Sequence, residues 1–318
     1  LKHAPFSVLK NGLQSMSFIK SMQEAERASR PSPLGRNLQI YRLANAPWWL
    51  LAILAVVALI FLRLVSESVL YREAWLAIRS GMWVSIRVTI IAYTLAIVLG
   101  LFVGIFRKPS KSLLYSFLVY QPLTIYVEVI RGIPGLVLLF YIAFALVPEA
   151  IKNLNQLGTE WLNAGVNPLG LADFLNDLTV RDVGMEYRAI FALALAYSAF
   201  ISEIFRAGIE SVPIGQREAA RSLGMSSWQV NLLIVLPQAI RNVLPPLGND
   251  LIAMFKDSSL VSVLGVSDMT REGRDVAAAT FTVFPVYNML AITYLVMTLG
   301  LSILVKGLEI LLKQGRKD

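Results

Sequence analysis

An all-α integral membrane fold is what this sequence predicts, and three observations predict it. Apolar residues make up 56% of the 318 and charged residues only 16%, against roughly 45–50% and 25% in average soluble domains. Mean hydropathy is +0.62. The apolar residues collect into six runs long enough to cross a bilayer, and lysine and arginine crowd the alternate connections between them, as topology in a membrane requires.

Residues 1–47 mix Pro31, Pro33 and Gly35 with many polar side chains and read as a tail, with one amphipathic helix near Leu13 to Arg27. The first span runs from Trp48 to about Val65 and opens on an interfacial Trp48-Trp49 pair. No signal peptide is expected, because this run starts late and lacks a small-residue cleavage site. The second covers roughly Trp83 to Phe106 and contains Gly100 and Gly104, a spacing that permits close helix approach. We read it as bundle packing. Arg87, near its outer end, is expected to snorkel. The third run, Leu113 to Val147, exceeds the ~20 residues of one straight crossing. It holds Pro122 and Gly132-Ile133-Pro134, so a kinked or broken helix is expected.

Residues 148–188 are too many for a bare connection and predict short surface helices, for example Ala172 to Leu178. The fourth span is Ala189 to Phe205, with Glu203 and Arg206 at i, i+3 placed as a clamp at its end. The fifth covers about Leu232 to Leu264, interrupted by Pro237, Pro245 and Pro246, and the sixth is Val286 to Val305.

Basic residues set the orientation. The N-terminal tail carries seven (Lys2 to Arg42), the second-to-third connection Arg107, Lys108 and Lys111, and the fourth-to-fifth Arg206, Arg217 and Arg221. The C-terminus adds Lys306, Lys313, Arg316 and Lys317, while residues 148–188 are dominated by acids. Both termini and the 206–237 loop are therefore expected in the cytoplasm.

That loop is the most informative segment. It reads Glu218-Ala219-Ala220, then Gly224, then Ile234, Leu236 and Pro237. Pro213 suits a first helical turn with Ser211 as N-cap, and Gly224 a left-handed stop. Ser226 with Gln229 makes a capping box for a second helix, which Pro237 ends or bends. Glu218 and Arg217 offer charges to a partner. A helix–glycine–helix unit also resembles a DNA-binding motif. Its second helix, however, offers Trp228, Val230, Leu232, Leu233 and Ile234, with almost no basic surface for phosphates. Nucleic acid is not expected as a partner.

Other chemistries are excluded. There is no cysteine and the single histidine is His3, which removes thiolate sites, His-based metal sites and His-dependent triads. No G-x-x-x-x-G-K-[ST], H-E-x-x-H or G-x-S-x-G occurs. The chain has no phosphate-cradling loop of its own and no catalytic residue is assigned.

Together with the loop, several segments resemble permeases of bacterial ABC importers for polar amino acids, the histidine/glutamate/glutamine/arginine group. They are Tyr126-Val-Glu-Val-Ile-Arg131-Gly-Ile-Pro134, Glu203-Ile-Phe-Arg206-Ala-Gly208, Leu236-Pro-Gln-Ala-Ile-Arg241, Pro245-Pro-Leu-Gly-Asn249 and Lys256-Asp-Ser-Ser-Leu260. The resemblance spans about Gly81 to Glu309. It implies a type I (MetI-like) importer permease fold of five core helices in residues 81–309, with residues 48–80 as an extra N-terminal helix and external connection, and 310–318 as a tail. It also implies an ATPase dimer that carries ATP and Mg, a second permease, identical or homologous, and an extracytoplasmic amino-acid-binding protein. The bacterial cytoplasmic membrane is the expected location, and membrane lipid the surround. Arg217, Glu218, Ala219, Ala220 and Gly224 are the expected coupling residues.

Two charge clusters lie inside the spans: Glu128 with Arg131, placed to pair at i, i+3, and Lys256 with Asp257 and Ser258. A charge at mid-bilayer costs about 2.5–3.5 kcal/mol on insertion scales, so each needs a partner or water. Two readings stay open. They are ion pairs that fix broken helices, or they border a path in which Arg131 or Lys256 meets a carboxylate and Glu128 or Asp257 an ammonium. A secondary transporter or channel that needs no ATPase is the alternative to an ATP-driven importer.

Overall fold

The structure is a computed structural model and describes residues 48–314. The amphipathic helix expected near Leu13 to Arg27 lies outside the described residues. The chain divides after Ile53 into two units, and the helical bundle belongs to the second, Leu54–Asp318. Seven described helices are long and apolar enough to cross a membrane.

α1 (Trp48–Glu67) turns at Ser68 into α2 (Val69–Phe106). Phe61 meets Trp75 edge-on at 4.8 Å between ring centres across this turn. The helix that carries the span expected from Trp83 starts fourteen residues before it, at Val69. Arg72, Glu73 and Arg79 depress the hydropathy there. Ala74 and Ile78, however, repeat at helical spacing and bury against Phe255, Met269, Val286 and Met289.

α3 (Leu113–Gly132) and α4 (Gly135–Asn163) split the long third run at Ile133-Pro134, as its glycine and proline predicted. Their contacts run backward along α6 (Met185–Glu210). Tyr120 lies beside Arg206 and Glu210, Val127 packs on Ala199, and the Ala143 carbonyl accepts from Arg188. The pair is one broken rod antiparallel to α6, which reconciles seven apolar helices with six runs. Beyond the rod come α5 (Leu171–Asp177), close to the short helix expected at Ala172 to Leu178, and then α6. α7 (Ile214–Ser222), α8 (Ser227–Leu264, its last turns 3-10), α9 (Met269–Thr280) and α10 (Val283–Gln314) complete the chain.

Three prolines follow wide π-type turns: Ser116–Tyr120 before Pro122, Ile142–Leu146 before Pro148, and Val230–Val235 before Pro237. A proline ring clashes with the carbonyl four residues back and leaves it without a donor; the wider turn gives both groups room. Hence Pro237 does not end its helix. Nor do Pro245 and Pro246 interrupt α8, which runs through them. That expectation fails because Val243 and Leu247 on either side are anchored in the core.

α2 and α6 form the central seam. A Cβ on Gly100 would lie 2.7 Å from Ile201, and one on Gly104 3.0 Å from the Ser202 carbonyl, so this glycine pair packs within the chain. Arg87 does not snorkel. It forms two bonds to Glu186, at 2.7 and 2.9 Å, tying α2 to the start of α6. α9 is anchored by Asp268, wholly buried, which accepts from the Arg271 N–H at 2.9 Å. Its neighbour Met269 donates its N–H to Ser85.

At this junction a Cβ on Gly81 would stand 2.4 Å from the Asp268 carbonyl carbon, a backbone atom that cannot rotate away. Gly81→Ala is expected to destabilise by about 1–3 kcal/mol through overpacking. Thermal denaturation in detergent checks it against Gly300→Ala, where a Cβ meets nothing within 4 Å; equal melting of the two would refute the close approach.

Candidate functional site

The 206–237 loop is built by local chemistry. Pro213, with ψ of 135°, stands just before α7 and sets its first turn. Ser211 is not its cap. Its Oγ donates to the Gly208 carbonyl at 2.7 Å and accepts from Asn242 Nδ2 at 2.8 Å, closing α6 instead. At the other end of α7, Gly224 has φ of +84°. The Met225 N–H reaches the Ala220 carbonyl at 3.2 Å and the Gly224 N–H the Arg221 carbonyl at 2.9 Å, the paired bonds of a Schellman stop. Ser226 and Gln229 then exchange both capping-box bonds, at 2.8 and 3.3 Å. The helix they open is α8 itself, which continues to Leu264, so it is not free to act as a DNA-recognition helix.

The five loop residues divide by direction. Ala220 is buried with Val212, Val230, Val235 and Ala239, between α7 and the root of α8. Arg217 also turns inward: its Nη2 donates to the Ile209 carbonyl at 2.6 Å, and its buried Nε has no partner. Glu218 and Ala219 face outward. So do Ile214, Leu223 and Trp228, three large apolar side chains at least 71% exposed on a polar loop. Sequence reasoning passed over Ile214 and Leu223 and took Trp228 only as part of the second helix, although an apolar residue stranded among Gln, Arg and Ser was the available signal.

Where α6 enters this loop, Glu203 is the hub of an ion network. Its carboxylate accepts from Arg107 at 2.5 Å and Arg206 at 2.6 Å, and Arg131 stands 3.9 Å away. The expected i, i+3 clamp of Glu203 with Arg206 is present. Glu128 and Arg131 do not pair with each other. Glu128 reaches Arg107 at 4.0 Å, and Arg131 extends towards Glu203 and over the Phe200 ring. Each side chain is drawn instead to a charge on a neighbouring element, Arg107 just past α2 and Glu203 on α6.

The second cluster lies nearer the middle of α6. Tyr197 donates to Asp257 Oδ2 at 2.7 Å. Lys256 is exposed and forms no ion pair with a described residue. Ser258 is buried and donates to the Phe255 carbonyl at 2.8 Å within its own helix. The structure adds groups the sequence reading missed. Asp250, two turns before Asp257 on the same face of α8, buries one carboxylate oxygen without a hydrogen-bond partner. It lies close enough to Tyr93 and Tyr197 to interact with both electrostatically. A lone aspartate in an apolar run carried too little pattern to be picked out.

A bundle of broken apolar helices, with charges at the breaks and a capped helical loop at one end, defines a membrane transport subunit. Residues 96–314 match the family described as the inner membrane component of binding-protein-dependent transport systems, and the chain belongs to that family. It is a permease subunit, not an enzyme. It is 37% identical over 235 residues to a probable glutamine ABC transporter permease protein, GlnM, of Bacillus subtilis, covering 72% of this chain and 90% of that one. It is 34% identical over 185 residues to the glutamine transport system permease protein GlnP of Escherichia coli, covering 58% and 72%. Among solved structures, an amino acid ABC transporter crystallised with histidines superposes with a TM-score of 0.58 at 32% identity, over 74% of this chain and 94% of that chain.

Proposed function

We propose that this chain is the membrane-spanning subunit of an ATP-driven importer for polar amino acids, with α7 as the part a separate ATPase grips. The exposure of Glu218, Ala219, Ile214 and Leu223 on a helix locked at both ends carries this reading. Such a helix seats in a partner's cleft and passes its movement to α6 and α8. ATP and Mg belong to that partner chain. The relatives named for glutamine transport support the solute class. The basic residues of the 107–111 and 206–221 connections support a cytoplasmic loop and cytoplasmic termini.

Glu128, Lys256 and Asp257 are exposed within the spans. Charges do not face lipid uncompensated, so this surface lines an aqueous path that a second permease closes. In that path Asp257 and Asp250 receive the ammonium, and Arg131 or Lys256 the carboxylate. Asp257→Asn and Arg131→Gln are each expected to lower uptake tenfold or more while the complex assembles normally, since a charged hydrogen bond contributes about 1.5–3 kcal/mol. Uptake of radiolabelled amino acid into proteoliposomes is the measurement. Wild-type uptake in both variants would return these residues to a purely structural role.

A further inference from the structure

We propose that the hairpin formed by the outer half of α4 and by α5 is the docking point for the soluble binding protein, with Leu169 as its apolar tip. This rests on the importer reading above and adds the surface that meets the partner. The hairpin starts where α4 leaves its apolar stretch after Val147, at the end of α6 opposite the α7 loop. If the ATPase holds α7, this end faces outward.

The hairpin is rigid for its size. Ile151, Gly158, Ala172 and Leu175 are buried between its arms, and a Cβ on Gly158 would stand 2.7 Å from the Asn176 nitrogen. Asn155 Nδ2 donates to three carbonyls at the end of α5, those of Leu175, Asn176 and Leu178, at 2.7, 3.1 and 2.8 Å. These are groups a helix end leaves without intrahelical donors. Asn167 accepts from the Ala172 N–H at 3.0 Å. Buried Arg188 donates to the Val180, Val183 and Ala143 carbonyls and ties the far arm to the bundle.

This scaffold presents apolar surface to water. Leu169 is fully exposed, and its φ of +56° lies in the left-handed region, where bulky residues are outliers that point to function. Val166, Leu171 and Phe174 beside it are also exposed. Around them the hairpin carries exposed Glu149, Glu160, Asp173, Asp177 and Asp182 against Lys152 and Arg181, a surplus of three negative charges. Asp182 accepts from the Thr179 hydroxyl and N–H, each at 2.7 Å. Those bonds hold its carboxyl below the usual range and keep it charged.

The partner that fits has an apolar notch rimmed by lysine or arginine. Lipid does not suit an acidic rim, and the ATPase belongs at the opposite end. The family is described as dependent on a binding protein, which has to approach from this side.

The test uses the permease–ATPase complex in nanodiscs, titrated with the binding protein that supports its uptake, and reads stimulated ATP hydrolysis. Leu169→Asp and Leu169→Gly should each raise the half-saturating concentration tenfold or more, with basal and saturated rates unchanged. Glycine relieves the left-handed backbone, so its effect reports the lost side chain and not misfolding. Glu160→Lys with Asp177→Lys should weaken binding further and flatten its salt dependence. An unchanged half-saturation in both Leu169 variants overturns the docking site and leaves the importer reading intact. Separation of the two permeases in those variants marks the tip as a permease seam and also overturns it. A wild-type complex that no binding protein stimulates contradicts the importer reading, and the docking site with it.

Discussion

Gly224→Pro is expected to cut ATP-driven uptake on the order of a hundredfold while ATP hydrolysis by the assembled complex continues. The residue stands at φ of +84°, and proline is locked near −65°. Its missing N–H also deletes the bond to the Arg221 carbonyl. With one helix stop lost, α7 is no longer held at a fixed angle to α8, and force applied at Glu218 is absorbed in the loop. Proline cannot adopt this left-handed backbone, and strain or loss of such a turn costs of order 1–3 kcal/mol, which corresponds to up to roughly two decades in an equilibrium. Gly224→Ala keeps the N–H and should lie between the two. The comparison is uptake per ATP hydrolysed in proteoliposomes; full coupling in the proline variant would dismiss α7 as the transmitting part.

Glu203→Gln should have the second largest effect. Glu203 faces Arg107, Arg206 and Arg131 at once, with its side chain only 19% exposed. Removing one member of a buried ion pair costs 3–5 kcal/mol; with partial exposure, about 2–3 kcal/mol is the expected loss here. Glutamine is nearly isosteric, so the loss reports charge and not volume. The network joins the end of α2, the break after α3 and the exit of α6, so uptake should fall along with the melting temperature in detergent. A double-mutant cycle with Arg206→Gln should show coupling above 0.5 kcal/mol, because the two groups share one network. Additive effects would mean that Glu203 and Arg206 act independently.

What was legible in the chain follows from the range of the forces involved. The loop was read almost completely, because Gly224 and the Ser226–Gln229 box act within five residues. Ser211 was misassigned for the same reason: it serves the end of α6 and Asn242, which no local pattern reveals. The break at Pro134 was readable. The uninterrupted passage through Pro245 and Pro246 was not, since it depends on how Val243 and Leu247 pack against other helices. The Glu203 hub joins residues almost a hundred positions apart, so only the three-residue pairing with Arg206 was visible. The outer part of α2 was hidden by Arg72, Glu73 and Arg79, which face away from the buried stripe of Ala74 and Ile78.

On the proposed reading, α7 lies on the cytoplasmic face in the grip of an ATPase. Because the chain contains no cysteine, Glu218→Cys introduces a unique thiol for testing it. A membrane-impermeant maleimide should label that thiol only in inside-out vesicles, and the partner ATPase should block labelling and cross-link to it. Labelling from the external side, or equal labelling with and without the ATPase, would rule out α7 as the cytoplasmic coupling helix.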